Sequence, residues 1–149
     1  MSENTVKTGS GAFTFPVRVY WEDTDGGGIV YYANYLKFLE RARTEWLRYL
    51  GFVQSELARD PGIVFAVRSV HVEYRRPARL DDELAVTCGL ESFRAASLSF
   101  AQQVLRGDEL LVEARVRVAC LDAATMRPAP LPEVLMRVLP QPDATSGES

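Results

Sequence analysis

Three patterns in the chain predict an α+β domain in which an antiparallel sheet buries one face against a single long helix. The first is a helix-period stretch at residues 33–50, with Tyr35, Leu39, Ala42 and Trp46 on one side and Lys37, Arg41, Thr44 and Arg48 on the other. The second is a series of segments rich in Val, Leu, Phe and Thr, at 63–74, 83–93, 96–106 and 110–121, separated by polar punctuation. The third is Arg106-Gly107-Asp108-Glu109, a tight-turn signal between the last two of these segments.

The ends, 1–12 and 140–149, are polar, carry Gly, Ser or Pro and show no apolar period, so both read as flexible around a single domain at 13–139. Phe13, Phe15, Val17 and Val19 alternate at the strand period, and Pro16 among them points to an edge strand. In the helix, Asn34 is placed to cap the start, and Arg41 and Glu45 stand at the i,i+4 spacing. Gly51 followed by Phe52 fits a left-handed stop. Leu36, Phe38, Leu47 and Leu50 widen the apolar face, so the helix is expected to be wrapped on more than one side.

A chain of 149 residues has room for one domain, and 47% hydrophobic with 25% charged residues is the balance of a water-soluble protein. A formal charge of −3 gives no general attraction for nucleic acid. No apolar run is long enough to span a membrane and the N-terminus lacks the apolar core of a secretory signal, so a cytoplasmic location is expected. Cys88 and Cys120 lie in apolar, strand-like surroundings without CxxC or Cys/His spacing and read as buried, reduced thiols.

The chemistry concentrates in one run from Trp21 to Tyr35, where Asp23 and Asp25 precede Gly26-Gly27-Gly28 and the helix. A helix start presents unpaired N–H groups and the positive end of the dipole, which suit a developing oxyanion. Glycine lets backbone approach a substrate closely, and Gly28 is the candidate for that contact. A single histidine, His71, and two dispersed cysteines leave too few ligands for a zinc hydrolase, and no GxSxG elbow is present for a serine triad. What remains is carboxylate chemistry, in which one carboxylate can act together with one oxyanion site.

The block RVYWEDTDGGGIVYYANYLKFLERARTEWL, with VEYRRPARLDDEL at 72–84, resembles the hotdog-fold acyl-CoA thioesterases of the 4-hydroxybenzoyl-CoA thioesterase type, in particular their Tol-Pal-associated branch. Looser similarity extends over about 13–139. The resemblance implies a curved sheet wrapped around the long helix, a homodimer or homotetramer with sites between subunits, and a short terminal helix near 132–139. It implies Asp25 as nucleophile or general base, the Tyr32 backbone N–H as the group that polarises the thioester carbonyl, and Asp23 as a structural neighbour. Coenzyme A is then part of the substrate, and no metal or redox cofactor is expected. Arg75, Arg76, Arg79 and Arg94 are the candidates for its phosphates.

The chain departs from the pattern at two points: Tyr32 stands where the Tol-Pal-associated branch commonly has histidine, and Gly26-Gly27 replaces the more usual Ala or Pro and Gly. The tyrosine instead matches the hydroxybenzoyl-type branch, which bears on acyl preference more than on hydrolysis. Two other functions fit a hotdog domain: a non-catalytic module that binds acyl-CoA or acyl carrier protein, or joins an envelope-associated assembly, and a dehydratase. Retention of Asp25 disfavours the first, and the lack of a recognisable dehydratase motif around His71 disfavours the second.

Overall fold

The computed structural model describes residues 13–140. The ends read above as flexible lie outside the described residues, apart from Pro140. In chain order the elements are β1 (Phe13–Arg18), a 3₁₀ turn (Trp21–Asp23), α1 (Asn34–Tyr49), α2 (Gln54–Arg59), β2 (Ile63–Tyr74), β3 (Glu83–Arg94), β4 (Ser97–Arg106), β5 (Glu109–Asp122) and α3 (Glu133–Val138). The strands form one five-stranded antiparallel sheet in the order β1-β3-β4-β5-β2, so β1 and β2 are its edges. Every strand expected from composition is present within a residue or two of its expected ends, and the α+β expectation is met.

The chain divides into two units. The first contains residues 13–46 with Val72–Gly89 and Gln102–Ala114. Here β1 pairs antiparallel with β3, from Phe13 opposite Cys88 to Arg18 opposite Glu83. Its place at the sheet edge accommodates Pro16, which has no N–H to donate. The inner face of α1 is buried as the period predicts, through Tyr35, Phe38, Leu39, Ala42 and Trp46. The fully buried Gln102 ties this helix to the strands: its Nε2 donates to the carbonyls of Leu39 and Thr87, both at 3.1 Å, while its Oε1 accepts from Arg43 Nη1 at 3.1 Å. A buried amide with both ends satisfied fixes how a helix seats on a sheet, because any shift leaves polar groups unpaired.

The second unit contains Leu47–His71, Leu90–Ala101 and the chain from Arg115 onward. It holds the end of α1, where Gly51 takes φ +104°. The Phe52 N–H donates to Leu47 O at 3.0 Å and the Gly51 N–H to Arg48 O at 2.9 Å, the paired bonds of a left-handed helix stop. Leu57, Ile63, Leu98, Phe100, Val116 and Leu135 are among the residues of its core. Cys120 is buried there, as Cys88 is in the first unit, and both thiols are free. Burial raises both thiols, Cys120 to about 11.

Three local expectations change. Asn34 is the first helical residue, and its side chain donates to Asp23 O at 2.8 Å, so it anchors the preceding turn to the helix rather than accepting from the helix's own N–H groups. Leu36 is 42% exposed, so the apolar face of α1 is narrower on that side than composition implied. The short helix α2 was not anticipated, because its six residues bury only Leu57 and show no period to read. The hairpin between β4 and β5 forms as expected, with Gly107 at φ +61° and Arg106 bound to Glu109 across the turn at 2.8 Å.

Candidate active site

The glycine-rich segment folds back on itself. Thr24 and Val30 form an antiparallel bridge, and the Asp25 N–H donates to Ile29 O at 3.0 Å, which closes the loop around Gly26-Gly27-Gly28. Gly26 at φ +89° and Gly28 at φ +94° occupy a region that side chains rarely enter. The loop is laced to residues 78–80 by Val30 N–H to Ala78 O and Leu80 N–H to Gly28 O, each at 2.9 Å, and by a bridge between Ile29 and Arg79.

The two aspartates have different surroundings. Asp23 is tied into the backbone: its Oδ2 accepts from the Tyr20 N–H at 2.8 Å, and its carbonyl accepts from the Tyr31 N–H at 3.0 Å and from Asn34 Nδ2 at 2.8 Å. Asp25 is exposed, and its Oδ1 accepts from the Gly27 N–H at 2.7 Å. Its Oδ2 has no hydrogen-bond or ion-pair partner among the described residues. The carboxylate is therefore held by its own loop and not by the N–H groups of α1.

The helix start follows Ile29-Val30 in the chain and leaves donors open. The Asn34 N–H donates to Tyr31 O at 2.8 Å and the Tyr35 N–H to Tyr32 O at 3.3 Å. Among the described residues, no carbonyl or side chain accepts from the N–H groups of Tyr32 and Ala33. These are the unpaired first-turn donors that an oxyanion site needs.

A cleft of about 240 Å³ adjoins them, walled by Ile29, Tyr32, Tyr35, Tyr74, Arg75 and Arg76. Tyr35 is buried, and its hydroxyl accepts from the Ala78 N–H at 2.9 Å. The rings of Tyr32 and Tyr74 meet edge to face at 6.0 Å, and those of Tyr35 and Tyr74 lie 5.6 Å apart. Burial raises the phenol pKa of both Tyr35 and Tyr74.

The structure thus brings Tyr32, Arg75 and Arg76 to one cleft and places Asp25 and Gly28 on the loop that supplies Ile29 to its wall. Arg75 is shared with Glu73 at 3.2 Å and Glu113 at 3.3 Å, and Arg76 pairs with Glu109 at 3.2 Å. Arg94 ends β3 in the second unit. His71 lines a separate depression of about 260 Å³ in that unit, with Glu91, Arg115 and Arg117. Among the described residues, no group of three or more His, Cys, Asp or Glu side chains could hold a metal ion, and no helix is long and apolar enough to cross a membrane. Tyr74 was not singled out from sequence, although an aromatic residue directly before Arg75-Arg76 was the available signal.

Comparison with known proteins agrees with the geometry. A family model for the thioesterase-like superfamily matches residues 19–139. The acyl-CoA thioesterase YbgC of Haemophilus influenzae is 45% identical over 121 residues, which cover 81% of this chain and 89% of that protein. The acyl-CoA thioester hydrolase YbgC of Escherichia coli is 47% identical over 125 residues, 83% of this chain and 92% of that one. A probable thioesterase from Bartonella henselae, solved by crystallography, superposes with a TM-score of 0.78 at 36% identity, covering 81% of this chain and 99% of its own. The chain belongs to the thioesterase-like superfamily and is a hotdog-fold thioester hydrolase.

Proposed function

We propose that the chain hydrolyses acyl-CoA thioesters, with Asp25 as nucleophile or general base and the Tyr32 backbone N–H polarising the thioester carbonyl. The observation that carries this reading is the presence of two complementary open groups in one unit, the Asp25 Oδ2 and the first-turn N–H of Tyr32. A carbonyl oxygen at that N–H is stabilised as it becomes an oxyanion, by the hydrogen bond and by the positive end of α1. Asp25 then attacks the carbonyl carbon to give a mixed anhydride that water opens, or it takes a proton from an attacking water. In both routes the C–S bond breaks and the thiolate of coenzyme A leaves and is protonated. The conjugate thiol has a pKa of about 8.5 in the cysteine reference, so the leaving group needs little assistance.

Gly28 keeps the loop clear of a side chain where substrate approaches, and Arg75 and Arg76 take the phosphates of coenzyme A. Arg75 and Arg76 are exposed and already share carboxylates, so a phosphate exchanges one partner for another and gains modestly. The enzyme acts in the cytoplasm as a homodimer or homotetramer. Support for the oligomer comes from β2, an edge strand whose Val67 and Val70 are exposed and whose outer backbone edge is available to a second copy. Thioesters on acyl carrier protein present the same reacting group and are a second class of substrate to examine.

The test is thiol release from acetyl-, butyryl-, palmitoyl- and benzoyl-CoA and from an acyl carrier protein thioester, with wild type and Asp25→Asn side by side. Release by wild type that falls by about 10² or more in a folded Asp25→Asn protein is expected, the scale for loss of a principal acid–base group. Tight acyl-CoA binding by wild type with no thiol released would replace the enzyme by a binding module. Sedimentation as a monomer at micromolar concentration would remove the oligomer.

A further inference from the structure

The cleft contains one contact that neither Asp25 nor the Tyr32 N–H accounts for. The hydroxyl of Tyr74, at the end of β2, donates to the carbonyl of Tyr32 at 3.3 Å. That carbonyl also accepts from the Tyr35 N–H at 3.3 Å, so it carries two long hydrogen bonds. It belongs to the same peptide unit as the Ala33 N–H, which is the second open donor of the helix start. Hydrogen bonds accepted by the oxygen of a peptide polarise the unit and strengthen its N–H as a donor.

The Tyr74 side chain is itself positioned. Its ring packs edge to face on Tyr32 and against Tyr35, and Tyr35 is anchored by its bond to the Ala78 N–H. Burial raises the Tyr74 phenol above its ordinary value, so the hydroxyl keeps its proton throughout the neutral range. On its other side the turn is fixed by the Asp23 carbonyl, which accepts from the Tyr31 N–H and from Asn34 Nδ2. The peptide between Tyr32 and Ala33 is thus held from both flanks, and Tyr74 is the flank that belongs to the sheet.

We propose that Tyr74 is a positioning residue for thioester hydrolysis: its hydroxyl holds and polarises the Tyr32–Ala33 peptide, so that the Ala33 N–H joins the Tyr32 N–H as a second donor to the oxyanion. The proposal rests on the thioesterase reading of this site. Tyr74 acts through the peptide and touches no reacting atom, so its effect falls on the chemical step and not on substrate affinity.

The sequence offers a selective probe, because Tyr32–Ala33 is the only Tyr–Ala pair in the chain. Protein labelled with carbonyl ¹³C in tyrosine and ¹⁵N in alanine gives one directly coupled signal, from this peptide. Tyr74→Phe keeps the ring and removes the donor, and the residue is 46% exposed, so the substitution does not threaten the fold. The expected results are a displaced Tyr32 carbonyl and Ala33 nitrogen signal, together with a kcat lowered about three- to tenfold and KM within about twofold. That range is the net value of one hydrogen bond converted to a rate. An unmoved signal would show that the bond is absent in solution, and a moved signal with unchanged kcat would show that it does not serve hydrolysis; either overturns the proposal. Wild type that releases no thiol from the acyl-CoA panel would overturn the thioesterase reading and this role with it, an outcome distinct from an active wild type matched by Tyr74→Phe.

Discussion

The glycine loop and the tyrosine cleft adjoin at Ile29, yet they are held by different means. The loop is organised by backbone: bonds from Asp25, Val30 and Leu80 N–H groups fix its path, and two glycines at positive φ make the path possible. The cleft is organised by side chains, with three tyrosine rings packed on one another and hydroxyls of two of them bonded to the backbone. A backbone-built region tolerates few substitutions, because any Cβ or lost carboxylate acts directly on its geometry. A ring-built region should respond in steps, since phenylalanine can replace the ring and remove only the hydroxyl.

The largest expected effect tests the loop. Asp25→Asn keeps the shape of the side chain and an acceptor for the Gly27 N–H, so Tm should stay within a few degrees while kcat/KM falls by about 10² or more. A mutant as active as wild type would move the chemistry off this loop altogether. Next comes Gly27→Ala, which leaves the backbone unstrained but brings its Cβ to 3.1 Å from Asp25 Oδ1. The carboxylate must then shift by a few tenths of an ångström, and about a three- to tenfold loss in kcat is expected where a shift near 1 Å can cost about 10². Loss of stability with unchanged kcat would mean that the loop is a structural turn and not a device for aiming Asp25.

In the cleft the first expected effect is on stability. Tyr35→Phe leaves the Ala78 N–H without its partner beside a buried ring, and unfolding free energy should fall by about 1–3 kcal/mol, measured by denaturant titration at constant m-value. If Tyr35→Phe instead abolished hydrolysis while leaving stability intact, the cleft would be catalytic machinery and the contrast with the loop would disappear.

The contrast also explains what the sequence made legible. Periodicity located α1, which buries a regular face, and composition with polar punctuation located β2 to β5, each of ten or more residues. It could not locate α2, which buries one side chain, or foresee that Leu36 would be exposed. For the site, the glycines flag the loop because few other residues fit positive φ, and the run into the helix flags the open N–H groups. Tyr74 meets Tyr32 and Tyr35 only because a distant segment comes to them, and local spacing carries no trace of that. The same holds for charge: nothing local to the phosphate candidates Arg75 and Arg76 indicates that Glu113 and Glu109 reach them from β5.

The smallest expected effect concerns Tyr32 itself, the position where the Tol-Pal-associated pattern commonly has histidine. Its proposed role belongs to the backbone N–H, which no side-chain substitution deletes. Its ring is 61% exposed, and the hydroxyl of Tyr74 reaches its carbonyl rather than its phenol. Tyr32→Phe should therefore leave kcat within about threefold, below the net value of one typical hydrogen bond. Tyr32→Ala, which strips the ring that packs edge to face on Tyr74, should act on KM for acyl groups that fill the cleft and less on those too short to reach it. Measured across acetyl-, butyryl-, palmitoyl- and benzoyl-CoA, that pattern would assign acyl selection to the rings and hydrolysis to the loop and helix start. A uniform fall in kcat for Tyr32→Phe would instead make the phenol a participant in the chemical step, and the separation between backbone and ring would fail at the residue that carries both the open N–H and a ring of the cleft.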